Sequence, residues 1–203
     1  MAKSRRSKKT AKSGNPAPRG ITFAGLLFLC VCFFLPQIRS CGGPVIPAAE
    51  TYEQGPGWLL TWGLPFVFAF AVAVLYGLWY LLRKAGTRAF LMRLTCGCSI
   101  LVLGWGCIQM TRVVTETSNV TPLVLLILLC IAAVGACILA IRAPANAKGP
   151  ICVFIFALAS GGYFLYWPLM ADEKIYYGLW CSVSASVMMA IGGLWEALVA
   201  KWK

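Results

Sequence analysis

Six long blocks of apolar residues constrain this chain more than any other feature. Their approximate bounds are residues 20–38, 58–82, 90–110, 122–141, 151–170 and 176–200. A run of about 18 or more apolar residues is typical of a helix that crosses a membrane, because a helix satisfies its own backbone polar groups in lipid. The strands of a membrane barrel would alternate apolar and polar residues, and these blocks do not. We therefore predict an all-α integral membrane protein, in which residues 20–203 form a polytopic bundle of six transmembrane helices with short loops.

The composition and the prolines refine this prediction. Hydrophobic residues make up 60% of the chain and charged residues only 12%, whereas soluble domains carry about 25% charged residues. Pro122 and Pro150 lie where helices are expected to start, since the missing N–H costs nothing there. Pro65 lies inside the second block, and we expect it to kink that helix.

The charges predict the orientation of the bundle. With six helices, 15 of the 18 Lys and Arg residues fall on one side of the membrane, and five of the six acidic residues fall on the other. The positive-inside rule then places both termini in the cytoplasm, and we expect the inner (plasma) membrane of a bacterium. Glu196 is the exception among the acids. It lies in the last turn of the sixth helix beside Trp195, and we expect it to be interfacial.

The N-terminal tail, residues 1–19, is basic and rich in small polar residues. Such a segment is expected to be disordered and cytoplasmic. Its predicted partner is the lipid bilayer, in particular anionic headgroups, which attract basic residues near the surface. We expect no nucleic-acid partner, because orientation already accounts for the basic charge and no Lys/Arg stripe is interleaved with aromatic residues.

Small residues recur at every fourth position in three of the predicted helices. The three stripes are Ala69, Ala73 and Gly77; Ala132, Ala136 and Ala140; and Ser182, Ser186 and Ala190. Each set lies on one helix face and would let two helix backbones approach closely in lipid. Two interpretations stay open: a contact inside the bundle, and a seam with a second copy or with another membrane protein.

The residues that usually carry chemistry are scarce. The chain has no His, which removes imidazole metal ligands and His-dependent acid–base catalysis. No central stretch of a predicted helix holds Asp, Glu, Lys or Arg, and no catalytic motif is present. We therefore expect no catalytic residue, no cofactor and no metal, and the residues favour a protein that is not an enzyme.

Ten cysteines fall into two groups. Cys41, Cys107 and Cys181 lie near the predicted outer face, where one disulfide among them, or lipidation, is an open possibility. The other seven lie deeper, where Cys acts as a small apolar residue. Cys96 and Cys98 are two residues apart and would face nearly opposite ways on a helix, so they make a poor metal pair.

Two functions fit these observations. The first is a non-catalytic structural, anchoring or partner-regulating component of a membrane. The second is a transporter or small pore for a neutral solute, whose path polar side chains would line. Those candidates are Thr61, Thr95, Ser99, Gln109, Ser160, Ser182 and Ser186. Hydroxyls can equally donate to their own helix backbone, so a continuous polar cavity would be needed to favour transport.

The stretch that follows the first apolar block allows a third alternative. The residues "IRSC", Ile38 to Cys41, followed by "GG", resemble the lipobox of bacterial lipoproteins. That resemblance implies cleavage before Cys41, lipidation of its thiol and a protein of five helices. Arg39 departs from the pattern, since that position normally holds a small or apolar residue. Arg39 also suits the outer end of a retained helix, where it can snorkel, and we expect the first helix to be kept.

Overall fold

Five helices account for most of the described chain. A computed structural model describes residues 17–39, 45–47, 63–82, 85–117, 145–170 and 177–201, together with scattered positions between 123 and 142, all helical. The helices are α1 (Ala17–Cys32), α2 (Leu64–Leu81), α3 (Ala85–Thr117), α4 (Ala145–Met170) and α5 (Tyr177–Lys201). By length and composition, α2 to α5 can each cross a membrane. The predicted helical fold is therefore confirmed, with four helices that are long and apolar enough to cross a membrane, while the count of six helices and the orientation of the termini stay predictions.

Helix α1 ends earlier than the sequence predicts. It stops at Cys32 rather than at Ile38, and the chain closes a turn in which Leu35 N donates to Cys32 O at 3.1 Å. The physical reason lies in Pro36, which has no N–H to donate and disfavours helical backbone in the residue before it. From Pro36 the chain is extended. Strand β1 (Pro36–Arg39) pairs antiparallel with β2 (Val45–Pro47), a small ribbon that the all-α prediction did not include.

Two prolines occupy positions other than those predicted. Helix α2 begins at Leu64, so Pro65 lies in its first turn, where it fits without a kink. Helix α4 begins at Ala145, so Pro150 lies inside the helix rather than at its start. The backbone near Pro150 is in close contact with α5, since a Cβ at Gly193 would lie 2.9 Å from Pro150 O.

The directions of the helices follow from which residues meet. Trp79 of α2 lies against Gly149 of α4, while Phe66 lies 5.0 Å from Phe164 between ring centroids, so α2 and α4 are antiparallel. Arg19 lies against Glu196, and Gly25 further along α1 lies against Met189, so α1 and α5 are also antiparallel. Thus α1 and α4 begin, and α2 and α5 end, at one end of the bundle. Helix α3 also begins there, since Arg88 near its start lies against Trp79 near the end of α2. We name it the basic end, because Arg19, the first arginine in the described chain, lies there.

Helices α3 and α4 run in the same direction. Cys96 Sγ lies 3.1 Å from Cys152 Sγ, and further along both helices a Cβ at Gly106 would lie 3.6 Å from the ring of Tyr163. The contacts therefore advance together in residue number. The segment between Thr117 and Ala145 has to return the chain to the basic end.

Close backbone contacts join α5 to its neighbours. A Cβ at Gly25 of α1 would lie 2.8 Å from the Met189 side chain and 3.0 Å from Ala185 O. On the other side, a Cβ at Gly161 of α4 would lie 3.1 Å from Ser186 Cβ. Packing between small residues is the usual way in which helices associate in lipid. Helix α5 is therefore held between α1 and α4.

Candidate functional site

A buried carboxylate lies at the basic end, between α1, α2 and α5. Glu196 is only 6% exposed, and its predicted interfacial depth in the membrane stays a prediction. Arg19 Nε donates to its Oε1 at 3.1 Å, and the hydroxyls of Tyr80 and Tyr76 donate to Oε1 and Oε2 respectively. We name these four residues the carboxylate cluster. The burial of Glu196 is tolerable because both of its oxygens have donors.

The helix contacts explain why these side chains meet. Thr22 lies one turn from Arg19 on α1, and Gly192 lies one turn from Glu196 on α5. A Cβ at Gly192 would lie 2.5 Å from Thr22 Oγ1 and 2.7 Å from Thr22 N. Because Gly192 has no side chain, the two backbones approach closely and bring the arginine to the carboxylate. Thr22 stays satisfied by donating to Pro18 O at 3.0 Å.

The two tyrosines are placed by helix periodicity. Tyr76 and Tyr80 are four residues apart, so they share one face of α2, and their rings meet edge to face with centroids 5.1 Å apart. Arg19 Cζ lies 4.4 Å from the centroid of the Tyr80 ring, which adds a cation–π contact to the ion pair. The side chain of Arg19 remains 52% exposed. The arginine therefore joins the buried acid to the surface of the basic end.

A second arginine lies on the neighbouring aromatic residue of α2. Arg88 Cζ lies 5.2 Å from the ring centroid of Trp79, and Arg88 Nε donates to Leu82 O at 2.7 Å. Trp79 is covered on another side by α4, since a Cβ at Gly149 would lie 2.8 Å from its ring. These contacts hold the guanidinium in place. Its remaining N–H groups suit an oxyanion such as a phosphate.

Five of the seven polar side chains that could line a solute path lie in the part of the chain that the structure describes. The five described ones are buried, and each donates its hydroxyl to the carbonyl four residues earlier on its own helix. They are Thr95, Ser99, Ser160, Ser182 and Ser186. Ser160 and Ser186 also lie 3.3 Å apart across the α4–α5 contact. Thr61 and the side chain of Gln109 lie outside the described residues.

The small-residue stripes have different surroundings. On α2, Ala69 and Ala73 are buried, and the position of Gly77 faces the Phe23 ring of α1. On α5, Ser182 and Ser186 are buried, and Ala190 packs against the core. The third stripe, Ala132, Ala136 and Ala140, lies outside the described residues. A seam with a second copy stays a prediction.

The cysteines predicted near the outer face do not meet one another in the part of the chain that the structure describes. Cys107 lies beside Cys130, and Cys181 lies beside Cys32 of α1. Cys41 lies outside the described residues, so a disulfide or a lipid at these positions stays a prediction. The pair that sequence reasoning missed is Cys96 and Cys152, whose contact depends on the packing of α3 on α4.

Comparison with known proteins adds no family to this description. No protein-family model, no curated protein and no solved structure matches the chain. The fold and the site define a multi-helix membrane protein, by the length and composition of its helices, with a buried and fully hydrogen-bonded carboxylate at one end.

Proposed function

We propose that this chain is a non-catalytic, six-helix protein of a bacterial inner membrane that anchors or regulates a membrane partner. In this proposal both termini are cytoplasmic, and the basic tail lies on anionic lipid. The carboxylate cluster is the observation that carries the proposal. Arg19 stands where the tail enters the bundle, and its bond to Glu196 fixes the root of the tail to the last helix.

The parallel course of α3 and α4 supports a sixth spanning helix. Because both helices start at the basic end, the chain between Thr117 and Ala145 must cross back over their length. A helix rises about 1.5 Å per residue, so the 20 or so residues of the predicted fourth helix, 122–141, cover about 30 Å. The described residues within 123–142 are helical and apolar in the main. This arrangement also brings the basic loops to one side, which supports a cytoplasmic basic end.

The hydroxyl contacts favour an anchoring role over the transport of a neutral solute. A path for solute needs polar groups that can exchange partners with it. The five described hydroxyls, from Thr95 to Ser186, already donate to their own helices, a pattern that satisfies a buried Ser or Thr without any ligand.

The packing of α1 supports its retention. Leu26 and Leu29 of α1 are fully buried, and Gly25 lies against Met189 of α5. Cleavage before Cys41 would remove this helix and expose the apolar face of α5 that it covers. Intact mass decides the point: we expect the purified protein to keep residues 1–40, and a protein that begins with an acylated Cys41 would overturn retention.

The lipid contact of the tail is tested with protein in nanodiscs, where both faces are accessible. We expect trypsin to cut the tail several-fold more slowly when the lipid contains phosphatidylglycerol than in phosphatidylcholine alone, because each basic residue near an anionic surface gains about 1 kcal/mol. High salt should remove the difference. The matched control replaces Lys8 and Lys9 by Gln. Equal cutting rates in both lipids would contradict the tail's role, and flux of a neutral solute through proteoliposomes would contradict the anchoring function.

A further inference from the structure

A pair of thiols joins α3 to α4 inside the bundle. Cys96 Sγ and Cys152 Sγ lie 3.1 Å apart. Cys152 is 1% exposed, whereas Cys96 is only half-buried. Both residues lie within membrane-length spans, Gly86–Ile108 and Ala147–Leu165.

Simple packing does not require two sulfurs to face each other. A buried Cys usually serves as a small apolar residue, and any neighbour of similar size would fill that role. Here the thiols of two separate helices point at one contact, and the S–S bond length of about 2.05 Å lies only about 1 Å below the present separation.

We propose that Cys96 and Cys152 are a modification site, at which a lipid-soluble quinone oxidises the pair to a disulfide that locks α3 to α4. The two S–H bonds break and one S–S bond forms. Two electrons and two protons pass to the quinone, which leaves as a hydroquinone. Cys96 is the thiol that the oxidant reaches, because it is the half-buried member of the pair and Ile100, one turn further along the same face of α3, is exposed.

The membrane-length spans decide the class of oxidant. Water-soluble disulfides such as oxidised glutathione are charged and do not enter the apolar layer, whereas a quinone dissolves in it. The disulfide would close the chain from Cys96 to Cys152 into a loop that contains the return segment 122–141. The expected consequence is a bundle whose α3 and α4 do not separate.

The test uses the full chain in nanodiscs, with all cysteines replaced by Ser except one pair. The first variant keeps Cys96 and Cys152, and the matched control keeps Cys98 and Cys152. The two variants therefore differ only in that the α3 cysteine is shifted by two residues. Each is treated with a short-chain ubiquinone analogue or with oxidised glutathione, and the remaining thiols are blocked with a maleimide.

We expect intact mass to show that the first variant loses two hydrogen atoms at least ten-fold faster than the control. Peptide mapping should show the peptide that contains Cys96 joined to the peptide that contains Cys152. We also expect the quinone to act faster than oxidised glutathione. Equal rates for the two variants, or no disulfide in either, would overturn the site. Equal rates for the two oxidants would overturn access from the lipid. If the variants unfold, the same mapping on the unmodified chain decides, and a disulfide of Cys152 with any cysteine other than Cys96 overturns the proposal.

Discussion

Replacing Tyr76 by Phe should destabilise the bundle by roughly 1.5–3 kcal/mol, the range for a hydrogen bond to a charged group. The change removes one oxygen atom and leaves the ring in place. Tyr76 is 2% exposed and its hydroxyl donates to Glu196 Oε2. Because the Glu196 side chain is only 8% exposed, water cannot replace the lost donor. The carboxylate oxygen would therefore stay buried and undersatisfied.

The other donors of the carboxylate cluster should contribute less. Arg19→Gln should cost about 0–1 kcal/mol, as solvent-exposed ion pairs do, since the arginine side chain is 52% exposed. Glu196 Oε1 also keeps its bond from Tyr80 when Arg19 is lost. In a Glu196→Gln background the acceptor is neutral, so Tyr76→Phe should cost only about 1 kcal/mol. The double-mutant cycle should then give a coupling of about 1 kcal/mol between Tyr76 and Glu196.

Equilibrium unfolding in mixed detergent micelles, followed by circular dichroism, measures these differences. Tyr177→Phe is the matched control, because Tyr177 is 58% exposed and surface substitutions usually stay within about 0.5 kcal/mol. The reasoning fails if Tyr76→Phe is no more destabilising than this control. It also fails if Arg19→Gln costs as much as Tyr76→Phe, because the exposed ion pair would then dominate.

Two further changes test the packing and the basic end. Gly192→Ala should destabilise the bundle by about 1–3 kcal/mol through overpacking against the Thr22 backbone. Gly97→Ala, where a Cβ meets nothing within 4 Å, should be neutral or stabilising by up to about 1 kcal/mol. The same unfolding assay compares the two variants, and equal costs would count against the close α1–α5 contact. Adding phosphatidylglycerol should raise the melting temperature, and Arg88→Gln should reduce this rise more than Arg93→Gln does. The reason is that Trp79 and Leu82 O hold Arg88 in place, whereas Arg93 is exposed. An equal reduction would mean that only the total charge matters.

The apolar blocks predicted where helices would lie, and their ends were set by features of a different kind. Block 151–170 became part of α4, which starts six residues earlier at Ala145, since a short polar stretch can continue a helix once tertiary contacts hold it. Block 20–38 was cut at Cys32 by Pro36, whose effect on the preceding residue outweighed the hydrophobicity of the run. Hydropathy thus located these helices, whereas tertiary contacts set the start of α4 and a proline set the end of α1.

Part of the carboxylate cluster could be predicted from the sequence. Glu196 is the one acid on the predicted basic side of the membrane, and Arg19 begins the first apolar block at the same predicted level. An unpaired acid beside an arginine of equal depth is a signal for an ion pair. The two tyrosine donors could not be predicted in this way, because their role depends on α2 packing beside both α1 and α5. The same limit applies to Cys96 and Cys152.

The short helix and the ribbon together explain how the first segment covers α5. From Arg19 to Cys32, α1 rises about 20 Å, whereas α5 extends about 29 Å from Glu196 back to Tyr177, at 1.5 Å per residue. Helix α1 therefore falls about 9 Å short of the far end of α5. Strand β1 contacts α5 as well, and its four residues, Pro36–Arg39, advance up to about 13 Å because extended backbone rises 3.3 Å per residue. Extended backbone needs partners in an apolar layer, and pairing with β2 supplies them, so the chain can stay against α5 beyond the end of helix α1.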